Sequence, residues 1–369
     1  MAYTNIDDPS AYFQTKLYTG NGSTQSITND GNSDMQPDWV WIKSRSNGSW
    51  NSLQDSSRGA TKTLFSNTTN AEVTYTDAQT SFDSDGFSLG ADASGGSVNV
   101  SSRTYAAWQW KANGGTTTSV SASGTGANCI NASTHQVNQD AGCSIITYTG
   151  RADQITVHQQ TNLTHGLGVT PDLTIMKKRD GTGNWVVMGK HITTSSSYSA
   201  NEHLHLNTAD AISDAEYTGY VAPTSTYIYL GDALVNDTGD DYVCYAFAEK
   251  QGYSKFGKYV GNGNANSGPF IYTGFKPAWL MVKILSGTTA GWYIWDIKRE
   301  TFNPNNKYIN AAEADAEGEN SIFDVDILSN GFKMRNSNAG LNGSTNSYIY
   351  MAFAENPFTT STGIPTTAR

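Results

Sequence analysis

The sequence predicts an all-β protein: three tandem β-sandwich units of jelly-roll type, preceded by an N-terminal arm. Three observations carry this prediction. The composition is turn-rich and poor in charge, one ordered set of motifs occurs three times, and long helical stretches of Ala, Glu, Lys and Leu are absent. Only 15% of the 369 residues are charged, against about 25% in a typical globular chain. Aromatics make up 11%, with 20 Tyr and 9 Trp to fill cores, and 36 Gly supply turns. At about 150 residues per domain, this length suits two or three domains.

Each unit opens on a strand end with Tyr and Gly: Tyr18-Thr19-Gly20, Tyr148-Thr149-Gly150 and Tyr259-Val260-Gly261. A Pro, an apolar run and a Lys six residues on follow, as Pro37 to Lys43, Pro171 to Lys177 and Pro277 to Lys283. A glycine-containing turn then leads to Trp50, Trp185 or Trp292, which makes a β-hairpin. These three Trp are read as one recurring core position. An Asn closes the next short strand (Asn67, Asn207, Asn310). The Asp85-Gly86 and Asn330-Gly331 turns follow in units one and three, and unit two diverges there. The closing strand is aromatic: Tyr105 to Trp110, Tyr242 to Glu249 and Tyr348 to Glu355. Trp39 and Trp41 share one strand face, as do Trp108 and Trp110. Such rows are expected to fill the gap of about 10 Å between the two sheets of a unit.

The boundaries that follow are an arm at 1–17, unit one at 18–112, a Gly/Ser/Thr/Asn-rich linker or long loop at 113–142, unit two at 143–250, unit three at 251–358 and a polar tail at 359–369. Tyr3, Ile6, Tyr12 and Phe13 lie on an arm too short to bury them alone, and are read as a segment that either docks on another virion protein or packs on its own first unit. Cys129, Cys143 and Cys244 do not form a disulfide framework and are read as free thiols.

Several functions are disfavoured. The chain carries 33 acidic and 23 basic residues, a net charge of −10, so it lacks the basic footprint of a nucleic-acid binder. Its apolar runs fall short of the roughly 20 residues that span a bilayer, which argues against membrane insertion. The first 16 residues show neither a basic nor an apolar leader region. His203 and His205 with Glu202 or Asp210 fall short of a metal-ligand set. Asp83-Ser84-Asp85-Gly86 resembles half a calcium loop, but Ser94 stands where the distal carboxylate belongs. Catalytic motifs for nucleophilic or phosphate chemistry are missing, so neither an enzyme nor a cofactor is expected. Loop aromatics that do not recur, Tyr75, Tyr198, Tyr217 and Tyr220, are the candidate glycan or receptor contacts.

Residues Ile6 to Gly22, Pro37 to Arg45, Ser84 to Gly90, Tyr245 to Gly257 and Tyr348 to Phe358 together resemble a family of structural proteins from tailed marine bacteriophages. The resemblance implies a virion protein, often labelled tail fibre, built from repeated sandwiches similar to concanavalin-like or SPRY-type domains. It carries no catalytic residues with it. The expectation is therefore a tail fibre or adhesin on the phage particle surface, with other virion proteins and a host-surface glycan or protein as partners. Tail fibres commonly trimerise, so a homo-oligomer is expected. A capsid-surface decoration or head fibre is the alternative, and a glycan-cleaving spike the third reading.

Overall fold

The computed structural model describes residues 3–154, 160–193, 202–213, 221–231 and 234–366. Alternating side chains and Gly, Asn or Asp turns break the chain into short strands. The first unit holds β1 (Phe13–Thr19), β2 (Gln25–Ile27), β3 (Trp39–Ser44), β4 (Ser52–Asp55), β5 (Lys62–Phe65), β6 (Val73–Thr74), β7 (Gln79–Asp83), β8 (Gly86–Leu89) and β9 (Thr104–Trp110). The second holds β10 (Thr118–Val120), β11 (Ser133–Asn138), β12 (Cys143–Thr149), β13 (Thr161–Thr164), β14 (Leu173–Lys178), β15 (Val186–Gly189), β16 (Leu204–His205), β17 (Tyr227–Leu230) and β18 (Asp241–Phe247). The third holds β19 (Ser254–Val260), β20 (Phe270–Tyr272), β21 (Phe275–Ile284), β22 (Tyr293–Asp296), β23 (Lys307–Asn310), β24 (Gly318–Glu319), β25 (Val325–Leu328), β26 (Gly331–Met334) and β27 (Ser347–Pro357).

Each unit is a sandwich of one large and one small sheet. The large sheets run β1-β9-β3-β4-β5-β6 and β19-β27-β21-β22-β23-β24 in units one and three. Unit two follows the same plan as β12-β18-β14-β15-β16, with β11 and β10 added outside β12. The small sheets are β2-β8-β7, β13-β17 and β20-β26-β25. Residues 113–142, expected as a linker, thus contribute two strands. Their hydroxyl and amide side chains give no apolar alternation, and backbone pairing with β12 makes them a strand.

The recurring Tyr and Gly have a common cause. Tyr18 stacks on Tyr105, Tyr148 on Tyr242 and Tyr259 on Tyr348, at 4.9–5.1 Å in each unit. The closing Tyr hydroxyl accepts from the backbone five residues upstream: Val100, Asp237 and Gly343. A Cβ on Gly20, Gly150 or Gly261 would lie 2.0–2.4 Å from a carbonyl oxygen of that same turn, so only glycine fits.

The aromatic rows do not fill the gaps inside the sandwiches as expected. Val40 and Ile42 of β3 face the interior of unit one, whereas Trp39 and Trp41 face outward into a second core. The same alternation places Val243, Tyr245 and Phe247 of β18, and Ile349, Met351 and Phe353 of β27, in that second core. The three large sheets therefore pack back to back around a shared centre. Trp39 stacks on Tyr245 at 4.3 Å, Trp110 meets Trp279 at 5.6 Å, and Phe247 meets Phe353 at 6.0 Å. Each such pair adds about 0.5–1.5 kcal/mol beyond the area it buries.

The N-terminal arm packs on its own chain, against unit three as well as unit one. Phe13 begins β1, is buried, and stacks on Phe353 of unit three at 5.3 Å. Ile6 is buried in the shared core, Tyr12 packs edge-on against Tyr253, and Tyr3 donates to the Gly274 carbonyl at 2.6 Å. All four residues serve the chain's own packing.

The units close in cyclic order, one on three, two on one and three on two. The backbone contacts correspond at each joint. The N–H of Glu317 donates to the Arg45 carbonyl, that of Glu72 to Arg179, and that of Ile212 to Leu285. The side chains differ. Arg45–Glu317 and Arg179–Glu72 are ion pairs at 2.9 and 3.0 Å, whereas Leu285 and Ile212 form an apolar pair. A buried Asp–Arg pair repeats the pattern. Asp55–Arg58 accepts the Tyr245 hydroxyl, and Asp296–Arg299 accepts the Trp108 indole N–H. Unit two has Gly189 and Ile192 there, and Ile192 lies beside Met351.

Arg58→Ala leaves Asp55 buried without its cation and is expected to lower unfolding stability by about 3–5 kcal/mol. The Asp55→Gly/Arg58→Ile pair, which copies unit two, is expected to cost markedly less. Urea unfolding of the full chain measures both.

Candidate recognition surface

A surface that binds a partner should carry side chains the fold does not need, and three copies of one plan allow that comparison. The N–H groups of Trp185 and Trp292 donate to the side chains of Asn207 and Asn310, and in unit one the matching donor is Asn51, to Asn67. Trp50 is therefore one residue out of register with the other two. A one-residue offset on a strand reverses the face. Trp185 and Trp292 are buried and donate their indole N–H across a joint, to the carbonyls of Phe65 and His205. Asn51 takes over that duty toward Ala311 and Glu313. Trp50 is 43% exposed. Its counterparts are Asn184 and Gly291.

Trp50 rests edge-on against Phe65 at 4.8 Å, and Phe65 contacts Tyr75 at 6.3 Å. Tyr75, expected as a contact residue, is half-buried in this aromatic run on the flank of unit one. Tyr198, Tyr217 and Tyr220 lie outside the described residues.

Unit three shows a second such place. On β20, Phe270 and Tyr272 flank the inward Ile271 and are 48% and 54% exposed. Pairing of Ile27 with Phe87, Leu163 with Ile228 and Ile271 with Phe332 aligns the three strands. The counterparts are then Ser26 and Thr28 in unit one, and Asn162 and Thr164 in unit two. Lys333 stands opposite Phe270, and the Tyr3 hydroxyl lies 3.4 Å from that of Tyr272. Phe302, 77% exposed, precedes Asn303, which bonds the backbone of Ile327 on the far edge of the same sheet. Sequence reasoning missed Phe270, Tyr272 and Phe302, although their lack of counterparts in the other copies was a usable signal.

Asp83 accepts from the Ser81 and Ser88 hydroxyls and Asp85 from the Met35 N–H, so the Asp83–Gly86 carboxylates hold a hairpin turn. His203 and His205 lie with tilted rings 5.0 Å apart, and burial with His203 alongside pushes His205 down to about 4. Among the described residues, no group of three or more His, Cys, Asp or Glu is placed to hold a metal ion. All three cysteines are buried and unpaired.

The recurrent Lys is buried at each joint. Lys43 donates to the Ala314 carbonyl, Lys177 to Thr69 and Lys178, and Lys283 to Ala290. Burial pushes Lys43 and Lys177 down to about 8 and Lys283 to about 7. Their recurrence in every copy marks them as joint elements.

Residues 8–357 match the model of a family described as DUF7483, a domain of unknown function. The chain belongs to that family, and the match runs through all three units. Neither the curated proteins nor the solved structures yield a match.

The lysines make stability pH-dependent. Lys283 has an ordinary value of 10.5 and about 7 when folded. Between these values the unfolded chain binds more protons, so this group makes stability rise with pH, by at most about 1.4 kcal/mol per pH unit. Groups shared with a Lys283→Met variant cancel in the difference. The stability of the natural chain relative to that variant is expected to increase from pH 7 to 9, read by urea unfolding at each pH.

Proposed function

We propose that this protein is a non-enzymatic structural component of a bacteriophage particle, a tail fibre or adhesin that contacts a host-surface glycan or protein. One observation carries the reading. Trp50, Phe270 and Tyr272 are exposed aromatics whose counterparts in the other copies are small or polar, so the repeated fold does not require them. Aromatic faces stack on the apolar faces of sugar rings, and the surrounding Asn, Ser and Thr suit hydroxyl recognition. The resemblance of the sequence motifs to phage structural proteins supports the setting. Other virion proteins are the expected neighbours.

A capsid-surface decoration protein is the second reading. It is favoured by the cyclic closure of three similar units, which suits a site of threefold symmetry. Locating the chain on intact particles by electron microscopy separates the two.

For the adhesin, purified protein is expected to bind host cells and to compete with phage adsorption. Trp50→Ala, or Phe270→Ala with Tyr272→Ala, should weaken that binding tenfold or more, about 1.4 kcal/mol, with unchanged melting temperature. Equal binding by both variants would reject these surfaces.

A further inference from the structure

β1, β12 and β19 hold corresponding edge positions in the three large sheets. In unit two that edge is covered by β11, from Ser133 opposite Tyr148 to Asn138 opposite Cys143. β11 fills a slot between units one and two. The Gln136 side chain donates to the Ser56 and Ser57 hydroxyls at 2.8 and 2.7 Å and accepts from the Gly115 N–H at 3.0 Å.

The corresponding slot between units three and one is an open groove of about 290 Å3. It runs along β1 at Phe13, Gln14 and Thr15, with Ala278, Ile297 and the stem of Lys298 forming its far wall; Asp30 also lines it and ion-pairs with Lys16 of β1 at 3.2 Å and with the Lys298 ammonium at 2.9 Å. Ile297 and Lys298 follow Asp296 as Ser56 and Ser57 follow Asp55, so the wall of the groove matches the wall that receives Gln136. The slot beside β19 is closed to about 10 Å3 by Phe256, His191 and Ile192.

The edge of β1 is equipped for pairing. The Tyr12 carbonyl and the Gly20 N–H bond the residues flanking β9. Strand alternation then turns the backbone groups of Phe13, Thr15 and Leu17 away from β9, as it turns those of Cys143, Ile145 and Thr147 toward β11. Thr15 is 5% exposed, and its buried hydroxyl has no hydrogen-bond partner among the described residues. Its counterparts, Ile145 and Phe256, carry no such group.

We propose that this groove receives an extended segment of another protein, paired antiparallel with β1 as β11 pairs with β12. Strand addition of this kind draws affinity from the backbone and selectivity from alternate side chains. The residue opposite Thr15 points at Ile297 and Lys298 where Gln136 points at two serines. An aliphatic side chain fits that wall, and a backbone or hydroxyl donor of the segment satisfies the Thr15 oxygen.

The probe is a labelled peptide of residues 130–139 carrying Gln136→Leu, titrated against the full chain by fluorescence anisotropy. Saturable micromolar binding is expected, with the unmodified peptide weaker. Thr15→Pro removes an N–H that faces the groove and none that faces β9, a place where an edge strand accepts proline. It is expected to weaken binding at least tenfold without loss of the folded circular-dichroism spectrum. Ala278→Trp fills the groove from the opposite wall and is expected to do the same. Absence of saturable binding up to about 1 mM, equivalent to about 4 kcal/mol, overturns the proposal. So does equal binding by both variants. A dimer of the natural chain that Thr15→Pro dissociates would give the groove to a second copy and overturn it as well.

Discussion

Each large sheet is apolar on both faces, and the whole architecture follows from covering the second one. Val40 and Ile42 find cover inside their own sandwich, but Trp39, Trp41, Trp108 and Trp110 do not. Left open, that face would be an apolar patch well beyond the few hundred Å2 that soluble monomers tolerate. The sister sheets offer the same kind of surface, and the chain holds them at high effective concentration. Back-to-back packing of three sheets is the result. The sandwich is thus the repeating unit of sequence, while the closed ring of three is the unit of stability. The family match spans the entire ring.

The joints show one backbone geometry satisfied by two chemistries. Units one and three place buried Asp–Arg pairs and an Arg–Glu pair where their neighbours meet. The joint of three on two uses Leu285, Ile212, Ile192 and Met351 instead. Buried ion pairs are seldom more stabilising than well-packed hydrophobes of similar volume, yet they are costly to break one partner at a time. Once a pair has formed, either both members change or neither does. This explains how Gly189 and Ile192 came to stand together where the other units have Asp and Arg.

Divergence between copies is also what exposes function. Features present three times, such as the stacked Tyr pairs and the joint Lys, answer to the fold. Features present once are not required by the repeated plan, and the functional proposals rest on them: Trp50 on unit one, Phe270 and Tyr272 on unit three, and the groove beside β1 that β11 fills in unit two. The proposed ligand contacts and the proposed strand addition both rest on these differences between copies.

Strand alternation, the turns, the threefold repeat and the closing Tyr were legible in the residues, because each depends on local geometry or on contacts within one unit. The partner of each apolar face was not legible. A period of two says that Trp39 and Val40 point in opposite directions, and says nothing about which sheet lies beyond either. Trp50 was misassigned for a related reason. Its spacing from Pro37 differs by one residue from that of Trp185, and only hydrogen bonding to Asn67 reveals that Asn51 holds the matching place. Residues 113–142 became strands through backbone bonds to β12, which leave no mark in side-chain polarity. Phe13 was correctly seen to need burial, but beside Trp110 of its own unit it is covered by Trp279 and Phe353 of unit three, which the local sequence does not announce. Composition and periodicity determined the elements and their repetition. Long-range packing alone decided which surfaces were covered and which remained free to bind.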